Sequence, residues 1–338
     1  FITLRIFRKE AVKLISGEFQ KFFHDVTTVL EQSHYDLSIP LLGCGGCFDL
    51  LAKKKRILLL VKLLENIDSL REDYAFELRK LALMLTGFPL IIGQRIRSNT
   101  EIEEGVVYSR YEIPAVSIET LRMLLIEHIP PLIYAHRGGL KVKFDGELLR
   151  AKRVEKNLSL ADLAKEVGVS KRAIYDYENG IIDVSLETAM KIEEFFDIPL
   201  TMAINLFEEM NRVGSLVTPL AGDRGPRNDL EKEVKTHFDT IGLKDQLWTK
   251  KIPFRVLAQP AIPKEKEKFN ATITGIAEQL EGEEVVKKIQ ITYSISKIAE
   301  ANPLVVIGEE ISQTSIEGVP IISVEDLIKM KKAEHKKE

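Results

Sequence analysis

LRAKRVEKNLSLADLAKEVGVSKRAIYDYENG, residues 149–180 of this 338-residue chain, carries the chemistry of two short helices joined by a tight turn. Ser159 and Asp162 form a capping-box pattern, so a helix starts at Ser159. Leu160, Leu163, Ala164 and Val167 give that helix one apolar stripe, and Gly168 supplies the permissive backbone of a turn. Val169 packs inward and Ser170 caps a second helix. There Ala173, Ile174 and Tyr177 fall on the buried side, while Lys171, Arg172, Tyr175 and Asp176 point outward. Ahead of both helices, Arg150, Lys152, Arg153 and Lys156 form a basic helix end suited to phosphates. The expectation is a helix-turn-helix whose second helix enters the DNA major groove. Ser170, Lys171, Arg172 and Tyr175 would read base edges, with Asp176 also on the DNA-binding face, and Arg150, Lys152 and Arg153 would hold phosphates together with the amides at Ser159. The bland alternative is a helical module used for protein contacts.

The stretch from about residue 147 to 200 resembles the phage-repressor-like, Xre-type family of helix-turn-helix domains. Leu158, Ser159, Leu163, Ala164, Gly168, Val169, Ser170, Ile174, Glu178, Gly180 and the run Ser185-Leu-Glu-Thr188 sit at the family's positions. Two positions depart from it. Leu160 stands where members usually carry a Gln that contacts DNA, and Val184 replaces a loop proline. The resemblance also implies a homodimer on half-sites about one helical turn apart.

A length of 338 residues accommodates two or three domains. The formal net charge of −3 gives no chain-wide affinity for polyanions, so DNA contact must come from a local patch. Residues 141–180 hold nine Lys/Arg against seven Asp/Glu, a mild excess of the right sign. No run is apolar enough to span a bilayer, and the opening FITLRIFRKE lacks the apolar core of a secretory signal, so a cytoplasmic location is expected. Cys44 and Cys47 form a lone C-G-G-C. Two thiols cannot complete a zinc site by themselves, so no metal and no cofactor is assigned. Glycine-rich nucleotide loops, paired H-x-x-x-H histidines and nucleophile elbows are all missing from the sequence. The charge runs at Lys264–Lys268 and Lys331–Glu338 read as a solvated loop and a frayed, basic end.

The regions flanking the reader repeat each other. Ile113-Pro-Ala-Val-Ser-Ile-Glu-Thr-Leu121 matches Val319-Pro-Ile-Ile-Ser-Val-Glu-Asp-Leu327, and Pro89-Leu-Ile-Ile-Gly93 matches Pro303-Leu-Val-Val-Ile-Gly308. A third pairing sets Ile102-Glu-Glu-Gly105 against Ser315-Ile-Glu-Gly318, with an extra hairpin near Val106–Glu112 in the first copy. Helices are expected at residues 10–30 and 229–241. Middle strands are expected at 47–53 and 56–64 in the first copy, and at 269–276 and 285–292 in the second.

FDLLAKKKRILLLVK, residues 48–62, resembles the core of the restriction-endonuclease-like fold, a group that includes archaeal junction resolvases. That resemblance implies a divalent metal held by an Asp and a Glu-x-Lys. Asp49 and Lys62 match, but Leu60 occupies the place of the Glu and offers no oxygen ligand. In the second copy Asn270, Lys288 and Gln290 are assigned to the corresponding positions. No catalytic residue is therefore assigned and both copies are read as non-catalytic. A nuclease is the runner-up reading and would need a carboxylate such as Glu65 or Asp68.

The expected architecture is multidomain, an all-α helix-turn-helix domain between two α/β restriction-endonuclease-like domains made by internal duplication. Its parts are an α/β domain at 1–130, a linker at 131–144, the reader at 145–212, a linker at 213–226, a second α/β domain at 227–332 and a basic tail at 333–338. The arrangement resembles a family of archaeal helix-turn-helix transcriptional regulators, which implies regulation with double-stranded DNA as partner. The sequence names no effector.

Overall fold

A computed structural model describes residues 17–41, 46–97, 100–136, 138–209, 225–249, 252, 254–260, 271–278, 283–309 and 314–327. They fall into two compact units, one drawn from residues 1–63, 69–90 and 211–338 and the other from 64–68 and 91–210. Cys44, the Lys264–Lys268 run and the basic tail at 333–338 lie outside the described residues.

In the first unit, α1 (Gly17–Gln32) buries Phe22, Phe23, Val26, Val29 and Leu30 along one side. The chain reverses at His34, with φ 62°, into β1 (Asp36–Leu37). β1 pairs antiparallel with β2 (Leu50–Lys54), and β2 pairs antiparallel with β3 (Ile57–Asn66). Leu58 to Leu63 are buried on both faces, as a continuous apolar run requires. α2 (Glu72–Met84) then buries Ala75, Leu78, Leu81 and Ala82 and leads into β4 (Phe88–Ile96).

From Ile91 onward β4 belongs to the second unit. There it carries the two-residue β5 (Thr100–Glu101) on one edge and pairs parallel with β7 (Ile113–Val116). β7 pairs antiparallel with β6 (Val106–Arg110) across a two-residue turn, Tyr111 and Glu112, in which both residues have positive φ. Ser117 caps α3 (Ile118–Arg122), which runs on into a π-helical turn at Met123–Glu127.

The segment expected as a linker, 131–144, forms a hairpin instead. β8 (Ile133–His136) pairs parallel with β6 and antiparallel with β9 (Gly139–Val142). Four helices follow, namely α4 (Gly146–Glu155), α5 (Leu160–Val167), α6 (Lys171–Glu178) and α7 (Leu186–Phe196). Before α7, the short β10 (Val184–Ser185) adds to β9 with Val184 opposite Val142. Both valines, with Phe144, are buried in the same core as Leu149, Leu163, Val167, Ile174, Ile192 and Phe196. The reader is therefore not all-α. Its helices leave one side of the core uncovered, and the valines of β9 and β10 close it while the ladder satisfies their backbone groups.

The C-terminal part of the first unit contains α8 (Asp229–Thr240), β11 (Asp245–Trp248), β12 (Val256–Gln259), β13 (Thr272–Ala277), α9 (Glu283–Ala299), β14 (Asn302–Ile307), β15 (Ser315–Ile316) and β16 (Val319–Ser323). Its sheet order is β11-β12-β13-β14-β16-β15, and the N-terminal order is β1-β2-β3-β4-β7-β6. β11–β12, β12–β13 and β15–β16 are antiparallel and β14–β16 is parallel, matching their N-terminal counterparts.

This order corrects three expectations. Residues 285–292, expected as a strand, lie within α9. Val285, Ile289 and Thr292 follow helical spacing, and packing outweighs the β preference of these branched side chains. The hairpin at Val106–Glu112 is not extra, because β15 and β16 repeat it with Glu317 and Gly318 at the turn, both at positive φ. Ser315–Gly318 thus corresponds to the turn ending at Glu112 and not to Ile102–Gly105.

Candidate nucleic-acid interface

Three serines set the helices of the reader. Ser159 Oγ accepts from the Asp162 amide at 3.1 Å while the Asp162 carboxylate accepts from the Ser159 amide at 2.9 Å. Ser170 Oγ accepts from Ala173 N at 3.0 Å, and Ser185 Oγ from Thr188 N at 3.2 Å. Gly168, at φ 75°, ends α5 and turns the chain into α6. Ile174 and Tyr177 anchor α6 in the core. At the other end of α6, a Cβ on Gly146 would stand 2.5 Å from Glu178 O and 2.6 Å from Tyr177 O, so only glycine lets α4 approach so closely.

That anchoring leaves Ser170, Lys171, Arg172 and Tyr175 exposed on one face of α6. The Arg172 side chain is 72% exposed, yet it is held in place. Its Nε donates to the Asp176 carboxylate at 3.1 Å, and its guanidinium centre stands 5.1 Å from the Tyr175 ring centroid. Asp176 itself is half-buried and faces Arg172, so it positions the arginine. Only Nε is engaged, which leaves both Nη groups for a bidentate acceptor such as a guanine edge.

The basic end of α4 divides. Arg150 is exposed, and Lys152 pairs with Glu155 at 2.8 Å. Arg153, expected at a phosphate, turns inward. Its Nε and Nη2 donate to Glu178 at 2.5 and 3.0 Å and its Nη1 donates to Leu158 O at 2.7 Å. With side chains 12% and 4% exposed, Arg153 and Glu178 form a buried pair, and the hydrogen bonds that the guanidinium donates to Glu178 raise its pKa further. The capping box likewise occupies the amides of Ser159 and Asp162, leaving those of Leu160 and Ala161 in the first turn.

In the N-terminal α/β region, the first lobe, Asp49 and Lys62 do meet, but they close on each other. Lys62 Nζ donates to Asp49 Oδ1 at 3.2 Å and to Gly46 O at 2.9 Å, while Asp49 Oδ2 accepts from Leu63 N at 2.7 Å. Burial raises the Asp49 carboxyl pKa, opposed by the Lys62 charge and the Leu63 amide. Leu60 is fully buried, filling the space beside Gly87, where a Cβ would stand 2.5 Å from its Cδ1. These residues do not fit a divalent cation, since both carboxylate oxygens are engaged and leucine occupies the second ligand's place. Burial, followed by the charge of Glu77, holds the Cys47 thiol well above its ordinary range. Sequence reasoning missed Glu77, a buried carboxylate on α2 with no motif around it. Asp68 is committed to Arg110 at 2.6 Å, and exposed Glu65 is an odd number of residues from Lys62, on the opposite face of β3.

In the C-terminal α/β region that runs from α8 to β16, the second lobe, backbone hydrogen bonds locate the residues in equivalent positions. Leu41 N donates to Asp49 O and Asp49 N to Val61 O; in the same pattern Thr249 N donates to Arg255 O and Arg255 N to Thr274 O. Arg255 therefore stands where Asp49 does, and Gly275 where Lys62 does. Lys288 and Gln290, assigned from the strand expected at 285–292, lie on α9, and Asn270 lies outside the described residues. Arg255 pairs with the buried Glu231 of α8 at 2.6 and 2.8 Å. Among the described residues, no group of three or more His, Cys, Asp or Glu side chains converges as a metal site, and no helix is long and apolar enough to cross a membrane.

Residues 149–202 match the family model described as helix-turn-helix, and residues 19–131 match that of the PD-(D/E)XK superfamily domain. Relatives include a protein of Methanocaldococcus jannaschii, 38% identical over 307 residues that cover 89% of this chain and 90% of the relative. Another, from Pyrococcus furiosus, is 35% identical over 288 residues, covering 85% of this chain and 86% of its own. A third, from Methanocella arvoryzae, is 35% identical over 280 residues, covering 83% of each. All three carry the name "Putative HTH-type transcriptional regulatory protein". With similarity extending through the reader and both flanking regions, the chain belongs to this archaeal family of helix-turn-helix transcriptional regulatory proteins.

Proposed function

We propose that the protein binds double-stranded DNA sequence-specifically through α6 and regulates transcription in the cytoplasm, without enzymatic activity. The observation that carries this reading is Arg172, presented to solvent yet fixed by Asp176 and Tyr175 with both Nη groups open. Ser170, Lys171 and Tyr175 complete the base-reading face. Arg150, Lys152 and the amides of Leu160 and Ala161 contact phosphates, whereas Arg153 holds α6 in place. One chain carries one reader, so a pseudo-palindromic site takes two chains as a homodimer with half-sites about one helical turn apart. The flanking lobes are duplicated endonuclease-like domains that serve as scaffold, and the closed Asp49–Lys62 pair supports a non-catalytic role. Selection of bound fragments from a random DNA pool tests the proposal. A recovered consensus supports it; uniform recovery of all sequences defeats it.

A second reading, a nuclease targeted by the reader, has Glu77 in its favour as a buried carboxylate whose charge reaches Cys47, two residues from Asp49. Incubation with magnesium or manganese and duplex, nicked or branched DNA decides between the two. Cleavage abolished by Asp49→Ala would establish the nuclease.

A further inference from the structure

The two lobes meet through equivalent parts. α2 and α9 end alike: Thr86 N donates to Leu83 O and Gly87 N to Ala82 O, as Glu300 N does to Lys297 O and Ala301 N to Ser296 O. Thr86 and Glu300 share the same positive φ, 51° and 54°. Counting back from these ends, Lys80 of α2 corresponds to Ser294 of α9. The turns after α1 and α8 also coincide, with Tyr35 N donating to Leu30 O and Leu243 N to Phe238 O. Counting forward, the peptide group joining Ser38 and Ile39 corresponds to the one joining Gln246 and Leu247.

Those four positions are the ones in contact. The Lys80 ammonium donates to Gln246 O at 3.3 Å, and Ile39 N donates to Ser294 Oγ at 2.9 Å. α2 packs on β11 of the second lobe and α9 on β2 of the first. Lys53 and Glu300 add an ion pair at 2.7 Å. A helix of each lobe thus meets the outer strands of the other, with hydrogen bonds at matching positions, which is the signature of an isologous interface.

We propose that the second lobe is the built-in partner of the first, the two forming an intrachain pair about an approximate two-fold axis. The partner that fits this face of a lobe is the chain's own duplicate, so one chain supplies a paired scaffold with a single reader. Two chains meeting on DNA associate through some other surface. The inference rests on the duplicated-lobe reading and not on DNA recognition, so its failure would leave DNA binding untouched.

Amine cross-linking of an equimolar mixture of unlabelled and ¹⁵N-labelled full-length chains tests it by mass spectrometry. Links from Lys80 to Lys244 and from Lys53 to Lys297 are expected only between residues of the same isotope. Mixed-isotope links in comparable share, showing lobes exchanged between chains, or the absence of both links, would overturn the proposal. Sedimentation of Ser294→Trp gives a second readout. The variant is expected to melt lower while keeping the wild-type mass across a hundred-fold concentration range; a change of mass would make this face the one by which chains associate.

Discussion

Arg153 and Glu178 are joined by two hydrogen bonds, fixing the end of α6 to α4. Breaking a buried pair by removing one partner leaves an uncompensated charge, at a cost of about 3–5 kcal/mol. Arg153→Ala is therefore expected to lose about that much in urea unfolding. At temperatures where it remains folded, its DNA binding should keep the wild-type salt slope, because no phosphate contact is lost. A slope flattened by about one unit would put Arg153 back on the backbone.

Arg172→Ala should behave in the opposite way. Unfolding is expected to change less than for Arg153→Ala, since the Arg172 side chain is 72% exposed and only its Asp176 partner, 13% exposed, is drawn from solvent. Binding to the selected site should weaken by about 1–3 kcal/mol, with base preference relaxed at one position of each half-site. Equal losses on selected and random DNA would remove Arg172 from the base-reading set.

Arg150 is the arginine of α4 left exposed and without an ion pair. Arg150→Ala should weaken selected and random DNA alike and reduce the salt slope by about one. An unchanged slope in a titration from low to moderate salt would show that α4 does not touch the backbone.

Gly146→Ala places a methyl group against the Glu178 and Tyr177 carbonyls. Overpacking of this kind costs about 1–3 kcal/mol. A lowered melting temperature is expected, with DNA affinity falling as α6 shifts. Wild-type stability would mean that α4 and α6 pack less tightly than the distances show.

The second lobe should respond to acid through Glu231. Burial raises its carboxyl pKa, but the hydrogen bond from Arg255, the Arg227 amide and the two arginine charges outweigh burial, and the net shift is downward. A folded-state value below the unfolded one means that its stabilisation is complete above the unfolded carboxylate range, about pH 4, and is lost as pH falls through the folded value. Glu231→Gln should flatten that part of the stability–pH curve and lower stability at neutral pH. An unaltered acid limb would assign it to other carboxylates.

The helix starts of the reader were legible because each is a local event. Ser159, Ser170 and Ser185 bind amides three residues ahead, and such a pattern stands in the sequence whatever surrounds it. The exposed face of α6 followed from helical spacing for the same reason. The likeness of the two sheets was legible where matching residues sit in corresponding strands, as at Pro89 of β4 and Pro303 of β14, and failed at Gly105, where a turn glycine was paired with the wrong turn.

Tertiary structure alone decided the rest, because the deciding partner lies far along the chain. Arg153 and Arg150 are equally basic in sequence, and only Glu178, 25 residues on, draws one inside. Val285 to Thr292 have side chains suited to a strand, and the crossover that joins the parallel neighbours β13 and β14 makes them a helix. Asp49 and Lys62 were visible as residue types, but only folding shows them closed on each other. Periodicity and caps act over one or two turns of chain, so sequence alone determined the reader's helices and outward face. Burial and ion pairing act through space, so the fold determined which charges stay exposed and which are drawn inside.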